Sequence, residues 1–214
     1  MAETWTLDEI CAKIRAITGD GTTEDISADD LKDRVNDFYR NIIPLDVHSP
    51  DFEGWFEVDF TDGVGEYDVS QEYLKLETPM RTKDSDDAMA PVTFFQDKDQ
   101  FYKEFPEEAT PTESRPQAVL LYGNQLHPRP VPDATYSFKA AALVKPTALE
   151  ADTAPVDLRM GMAIAYGVGG EMELEDGDEE NGEKLLGIYG GLVTKLNRKQ
   201  NVQKASNQRA NPRW

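Results

Sequence analysis

The 214-residue sequence holds a single cysteine, Cys11, and two histidines, His48 and His127. One cysteine excludes an intrachain disulfide and fits synthesis in the cytoplasm. Neither histidine sits in an HExxH or GxSxG context, so little is present from which to assemble acid–base or nucleophilic chemistry. Cations are scarce: Lys and Arg number 22 against 41 Asp and Glu, a formal net charge of −19. A body this acidic binds nucleic acid poorly, because phosphate affinity comes from Lys and Arg neutralising the backbone. No apolar run approaches the roughly 20 residues of a membrane span. The N-terminal stretch sets acids ahead of its apolar positions with no basic leader, so no secretory signal is expected.

What is present suits a soluble globular chain, with 39% hydrophobic and 29% charged residues. The length suffices for one domain with a sizeable core, or for a core domain with a smaller insert. Charge is unevenly spread. Residues 195–214 contain Lys195, Arg198, Lys199, Lys204, Arg209 and Arg213 and no acid, so the rest of the chain is more acidic than the total implies. A basic end on an acidic body suits an acidic partner, and equally fits a solvated tail.

Periodicity divides the chain. Thr6-Leu7-Asp8-Glu9 has capping-box spacing, and Leu7, Ile10, Ile14 and Ile17 follow at helical intervals until Gly19-Asp20-Gly21. Ser27 starts a second helix with Leu31, Val35, Phe38 and Ile42 on one face, and Pro44 beyond its end. From Trp55 the period becomes two, and short strands follow through Phe60, Tyr67–Val69, Leu74–Leu76, Val92–Phe95 and Tyr136–Val144. Lys83–Ala90 reads as a polar loop, and Lys98–Phe105 as a short helix. Gly123-Asn124 between Ala118–Tyr122 and Gln125–His127 is a hairpin signal. Helical periodicity returns in Val156–Met172 and Glu179–Lys199, separated by the acidic stretch Glu173–Asp178. Glycines crowd both segments; each interior one costs roughly 1 kcal/mol against Ala, which implies close helix approach, local breaks or marginal helices.

The expected fold is therefore α+β. The segments 1–46 and 147–199 form a four-helix bundle, an antiparallel β domain is inserted over 47–146, and 200–214 forms an extended basic tail. Alone, that tail cannot bury enough apolar surface to fold. It is expected to order against a partner, with Arg198, Lys199, Lys204, Arg209 and Arg213 meeting acids and Trp214 filling a pocket.

The search for chemistry finds no catalytic residue, metal ligand or cofactor site. Cys11 lies beside the Ile10 stripe with no electropositive context, as an inert packed thiol does. Asp176–Gly182 has the start of a calcium loop, yet Asn181 and Gly187 stand where the turn glycine and the bidentate Glu belong. Tyr166-Gly167-Val168-Gly169-Gly170 lacks both the GxGxxG spacing and a P-loop lysine.

Several segments resemble a known family in their order. Val92–Pro106, VTFFQDKDQFYKEFP, is similar to a strand and short aromatic helix ahead of a proline. Arg115–Pro128, RPQAVLLYGNQLHP, is similar to the hairpin that follows, and Pro130–Lys139, PVPDATYSFK, to the entry of a last long strand. Trp5–Ile10 and Ile26–Leu31 resemble the starts of two N-terminal helices. Together, over residues 5–199, these resemble the head-to-tail adaptor (connector) proteins of tailed double-stranded DNA bacteriophages.

That resemblance implies a structural virion protein, not an enzyme. It implies a homo-oligomeric ring, commonly of twelve subunits, seated below the portal protein and joined to tail components. DNA would pass through the ring during ejection without sequence-specific binding, and acids facing the channel would repel its phosphates. The expected location is the virion's head-to-tail junction, with assembly in the host cytoplasm and no membrane. The C-terminal extension of such proteins reaches into or along the portal; the tail beyond Lys199 lies outside the resemblance, and its own charge and terminal aromatic make Arg198, Lys199, Lys204, Arg209, Arg213 and Trp214 the expected portal-binding set. Two alternatives stand beside this: a tail-completion or terminator ring protein, told apart by binding the tail tube, and a small acidic cytoplasmic enzyme, which needs a pocket of convergent ionisable groups.

Overall fold

Thr6 starts the first helix as its spacing to Glu9 requires. In the computed structural model, which describes residues 4–19, 26–86, 88–106, 112–150 and 156–209 (199–209 by backbone alone), the Thr6 N–H donates to the Glu9 carboxylate at 2.7 Å. In return, the Glu9 N–H donates to the Thr6 hydroxyl at 3.3 Å. The helix so capped is α1 (Leu7–Thr18), preceded by a two-residue strand, β1 (Thr4–Trp5). Ser27 caps α2 (Ala28–Asn41) by accepting from the Asp30 N–H. The apolar stripes are buried: Leu7, Ile10 and Ile14 on α1, and Leu31, Val35 and Phe38 on α2. A short helix, α3 (Ile43–Asp46), follows.

The chain divides into two units, one made of 1–52 with 145–214, the other of 53–144. The inserted unit is built from two four-stranded sheets. Its strands are β2 (Glu53–Phe60), β3 (Tyr67–Asp68), β4 (Tyr73–Lys83), β5 (Met89–Pro91) and β6 (Thr93–Phe95). After helix α4 (Lys98–Glu104) come β7 (Ala118–Tyr122), β8 (Gln125–Arg129) and β9 (Tyr136–Val144). The first sheet is antiparallel in the order β2-β9-β4-β5, and the second runs β3-β8-β7-β6. On β2, Phe56 and Phe60 point inward and Glu57 and Asp59 outward, the alternation that a one-sided sheet demands. Phe138, Leu76, Met80, Val119 and Leu126 complete the core between the two sheets. Gly123 and Asn124 both hold φ of 61°, the backbone a tight hairpin needs between β7 and β8.

Two features of this unit differ from the sequence reading. The β unit is not wholly antiparallel, because β6 and β7 pair in parallel. Helix α4 lies between them and provides the crossover that a parallel pair requires. The polar stretch Lys83–Ala90 is also not all loop. Strand β4 continues to Lys83 and β5 begins at Met89. Asp84 closes the turn by accepting from the Asp86 and Ala88 N–H groups, and Arg115 donates to the carbonyls of Thr82 and Ala88.

In the other unit, β10 (Val156–Asp157) pairs antiparallel with β1. Asp157 then caps α5 (Leu158–Asp176) by accepting from the Arg159 N–H. Gly177, at φ 89°, ends α5 in the left-handed region, and Asp178 accepts from the Asn181 N–H to open α6 (Glu179–Arg209). Helix α5 is the hub: α1, α2 and α6 all pack on it, and α1 also packs on α2. The glycines make this possible. A Cβ at Gly167 would stand 2.7 Å from Phe38 Cε1, and at Gly170 2.8 Å from Leu186 Cγ. They mark close helix approach, and α5 is continuous through them.

The segment from 200 is likewise not extended: the helix runs on through Arg209. Gln200–Arg209 contains no Gly or Pro, and six of its ten residues are Gln, Lys, Ala or Arg, good helix formers, so a helix already nucleated by packing continues at little cost.

Candidate functional site

The basic C-terminal end of α6 is the candidate site, and its lower half fixes where that end goes. Leu185 and Leu196 are buried, and the Tyr189 ring meets Phe38 edge-on at 5.5 Å between centroids. The Tyr189 hydroxyl donates to the Asp46 carboxylate at 2.6 Å. Burial first, then this bond to Asp46, holds the phenol well above the ordinary tyrosine range. Directly before Arg198, Asn197 clamps α6 to the backbone at the end of α3. Its amide nitrogen donates to the Asp46 carbonyl and its amide oxygen accepts from the His48 N–H, each at 2.9 Å.

Among the described side chains, Asn197 is the last on α6 to hydrogen-bond back to its unit. Arg198 follows it, exposed. The helix then continues for about 18 Å, at 1.5 Å per residue from 198 to 209. Helical spacing puts positions 195, 198 and 209 on one side of the rod and 204 on the other. Cations over the last turns complement the negative end of the helix dipole. Lys199, Lys204 and Arg209 belong to this helix; the placement of their side chains lies outside the described residues, as do Arg213 and Trp214 altogether. The structure thus joins Arg198, Lys199, Lys204 and Arg209 on one helical segment. Sequence reasoning missed the brace formed by Asp46, Tyr189 and Asn197. Nothing in the pattern links an Asn to a backbone turn 149 residues earlier.

The other candidates are structural. Cys11 is buried, and burial, with Asp8 nearby, raises its thiol pKa, which keeps it an inert thiol. His127 is buried on β8, its Nδ1 3.8 Å from Glu66, while His48 is held through its backbone to Asn197. Asp178 spends its carboxylate on the cap of α6, and Tyr166–Gly170 lies inside α5. No group of His, Cys, Asp and Glu among the described residues could hold a metal ion. No helix among them is long and apolar enough to cross a membrane.

Residues 5–213 match the SU10 adaptor protein family, and the match runs past Lys199 into the basic end. No curated protein matches the chain. The chain belongs to the SU10 adaptor protein family, a family of phage head-tail adaptors.

Proposed function

We propose that this adaptor assembles into a ring, of twelve copies as is common for such proteins, that joins the portal to the tail and surrounds the DNA exit channel. The basic end of α6 and the residues after it, Arg198, Lys199, Lys204, Arg209, Arg213 and Trp214, bind the portal. The observation that carries this reading is the Asn197 clamp, which sets a cation-bearing helix at a fixed angle to its own unit, with no acid from 195 onward. Membership of an adaptor family supports it. A pre-formed helix loses less conformational entropy on docking than a coil would, which leaves more of the contact energy as affinity. The remainder of the chain, in which acids far outnumber cations, keeps DNA moving by presenting its phosphates with an excess of like charge. The protein works by holding the portal and tail components at the head-to-tail junction of the virion, without catalysis or cofactor.

The test is removal of residues 200–214, followed by capture on purified portal protein from the same phage. Capture is expected to fall to background while the far-UV circular dichroism, corrected for the lost helical turns, stays that of the folded body. Capture at the full-length level refutes the portal assignment, and capture by the tail tube instead favours a terminator.

A further inference from the structure

A groove of about 500 Å³ runs between α2 and α5. Its floor is apolar, formed by Phe38, Ile42 and Val168, and Ile42 is 36% exposed. Its walls carry four carboxylates, Asp33 and Asp37 from α2 and Glu171 and Glu175 from α5. Among the described residues that line it the one cation is Arg34, bound to Glu175 at 2.6 Å. Asp37 accepts from Asn41. Among the described residues Glu171 has no hydrogen bond or ion pair, and burial, then Glu175 and Asp37, raise its pKa. Such a groove fits a cation set directly beside a large apolar side chain.

The chain carries that pair at its own end, Arg213 next to Trp214. Its own groove is beyond reach. Tyr189 packs on Phe38, at the groove, and Arg209 lies twenty residues further along α6, about 30 Å away at 1.5 Å per residue. The five residues after Arg209 span at most about 18 Å when fully extended. Glu171 and Glu175 lie still nearer the α5–α6 turn, the end of α6 opposite Arg209.

We propose that the α2–α5 groove binds the C-terminal segment of a second copy of this chain, with Arg213 meeting Asp37 and Glu171, and Trp214 covering Ile42 and Phe38. The contact is head-to-tail, groove of one copy to tail of the next, so it repeats around a closed ring or along an open filament. It deepens the proposed ring, on which its biological use rests, by naming a contact that neighbours make before the portal takes their tails. The portal and the neighbouring groove draw on the same terminal residues, so a tail held by a neighbour is given up when the portal takes it.

Sedimentation velocity of the full-length chain over a concentration series tests this. The wild type is expected to associate, and D37N/E171Q and W214A each to weaken association by roughly tenfold or more, the effect of losing one charge-assisted or anchoring contact. R213E alone should weaken it similarly, and mixing R213E with D37K/E171K should restore it, because one partner then offers an anionic tail to a cationic groove. D37N/E171Q keeps its tail intact, so it retains portal capture if the portal reading holds, which separates failure of this contact from failure of that reading. W214A alters no residue of the groove and stands as the decisive arm should the groove variant misfold. A wild type that stays monomeric at every concentration overturns the proposal, as does association that D37N/E171Q, correctly folded, or W214A leaves unchanged.

Discussion

Gly167→Ala and Gly190→Ala are the same chemical change in two long helices, and they are expected to move stability in opposite directions. In an open helix interior, replacing Gly by Ala gains about 1 kcal/mol, because the glycine backbone loses more freedom on folding. Gly190 offers that gain cleanly: a Cβ there meets nothing within 4 Å. At Gly167 the same Cβ stands 2.7 Å from Phe38 Cε1 and closer still to Cζ, where ordinary contact begins near 3.4 Å. Phe38 is only 3% exposed and its ring also meets Tyr189 at 5.5 Å, so it cannot swing away without disturbing the brace on α6. Overpacking of this kind costs about 1–3 kcal/mol, sometimes more, and outweighs the propensity gain. Urea denaturation followed by far-UV circular dichroism reads both signs. The G190A midpoint is expected to rise by about 1 kcal/mol of stability; with a contact this short on a buried ring the overpacking cost at Gly167 is about 2–3 kcal/mol, so the G167A midpoint falls by about 1–2 kcal/mol after the gain of about 1. A G167A protein as stable as wild type, or a destabilised G190A, refutes the close packing of α2 on α5 and the open face of α6.

Two further changes probe each unit by itself. The Tyr189 phenol is held protonated above its ordinary range, so its share of stability is complete below the unfolded pKa of about 10 and is lost as pH rises above it. Tyr189→Phe therefore lowers stability at pH 8 by about 1 kcal/mol and flattens the alkaline fall, with Tyr39 and Tyr136, also raised, keeping some of it. A slope between pH 8 and 11 equal to wild type contradicts this. In the β unit, Arg115→Ala removes donors to the Thr82 carbonyl at 2.9 Å, the Ala88 carbonyl at 2.7 Å and the Asp84 carboxylate at 2.8 Å. Loss of about 1.5–3 kcal/mol is expected, with R115K recovering only part because one ammonium cannot span the fork. An unchanged urea midpoint refutes the stitching role.

Much of this architecture is legible in the sequence because local chemistry dictates it. Thr6 and Ser27 cap where their spacing to Glu9 and Asp30 says they will, and Gly123-Asn124 turns because both positions take positive φ readily. The parallel pairing of β6 with β7 was not legible. Pairing direction is decided by how α4 returns the chain, not by any alternation in Thr93–Phe95. The extended basic tail was an overreading of low hydrophobicity, since Gln200–Arg209 has few apolar residues yet continues a helix that packing has already started. The Tyr189–Asp46 bond and the Asn197 clamp were invisible for another reason. They join positions about 150 residues apart through a side chain and a backbone turn, and neither partner carries a distinguishing pattern. For the candidate site the charge was readable and its bearing was not: sequence showed the cations after 195, and only the folded α5–α6 hairpin shows the direction they are sent.

Electron microscopy of the full-length chain mixed with the portal protein of the same phage tests the adaptor's proposed role most directly. The expected image is a ring of this protein stacked coaxially under the portal, with density from the end of each α6 entering the portal surface. Portal particles that stay bare at saturating adaptor, in buffer where both proteins are folded, would contradict it.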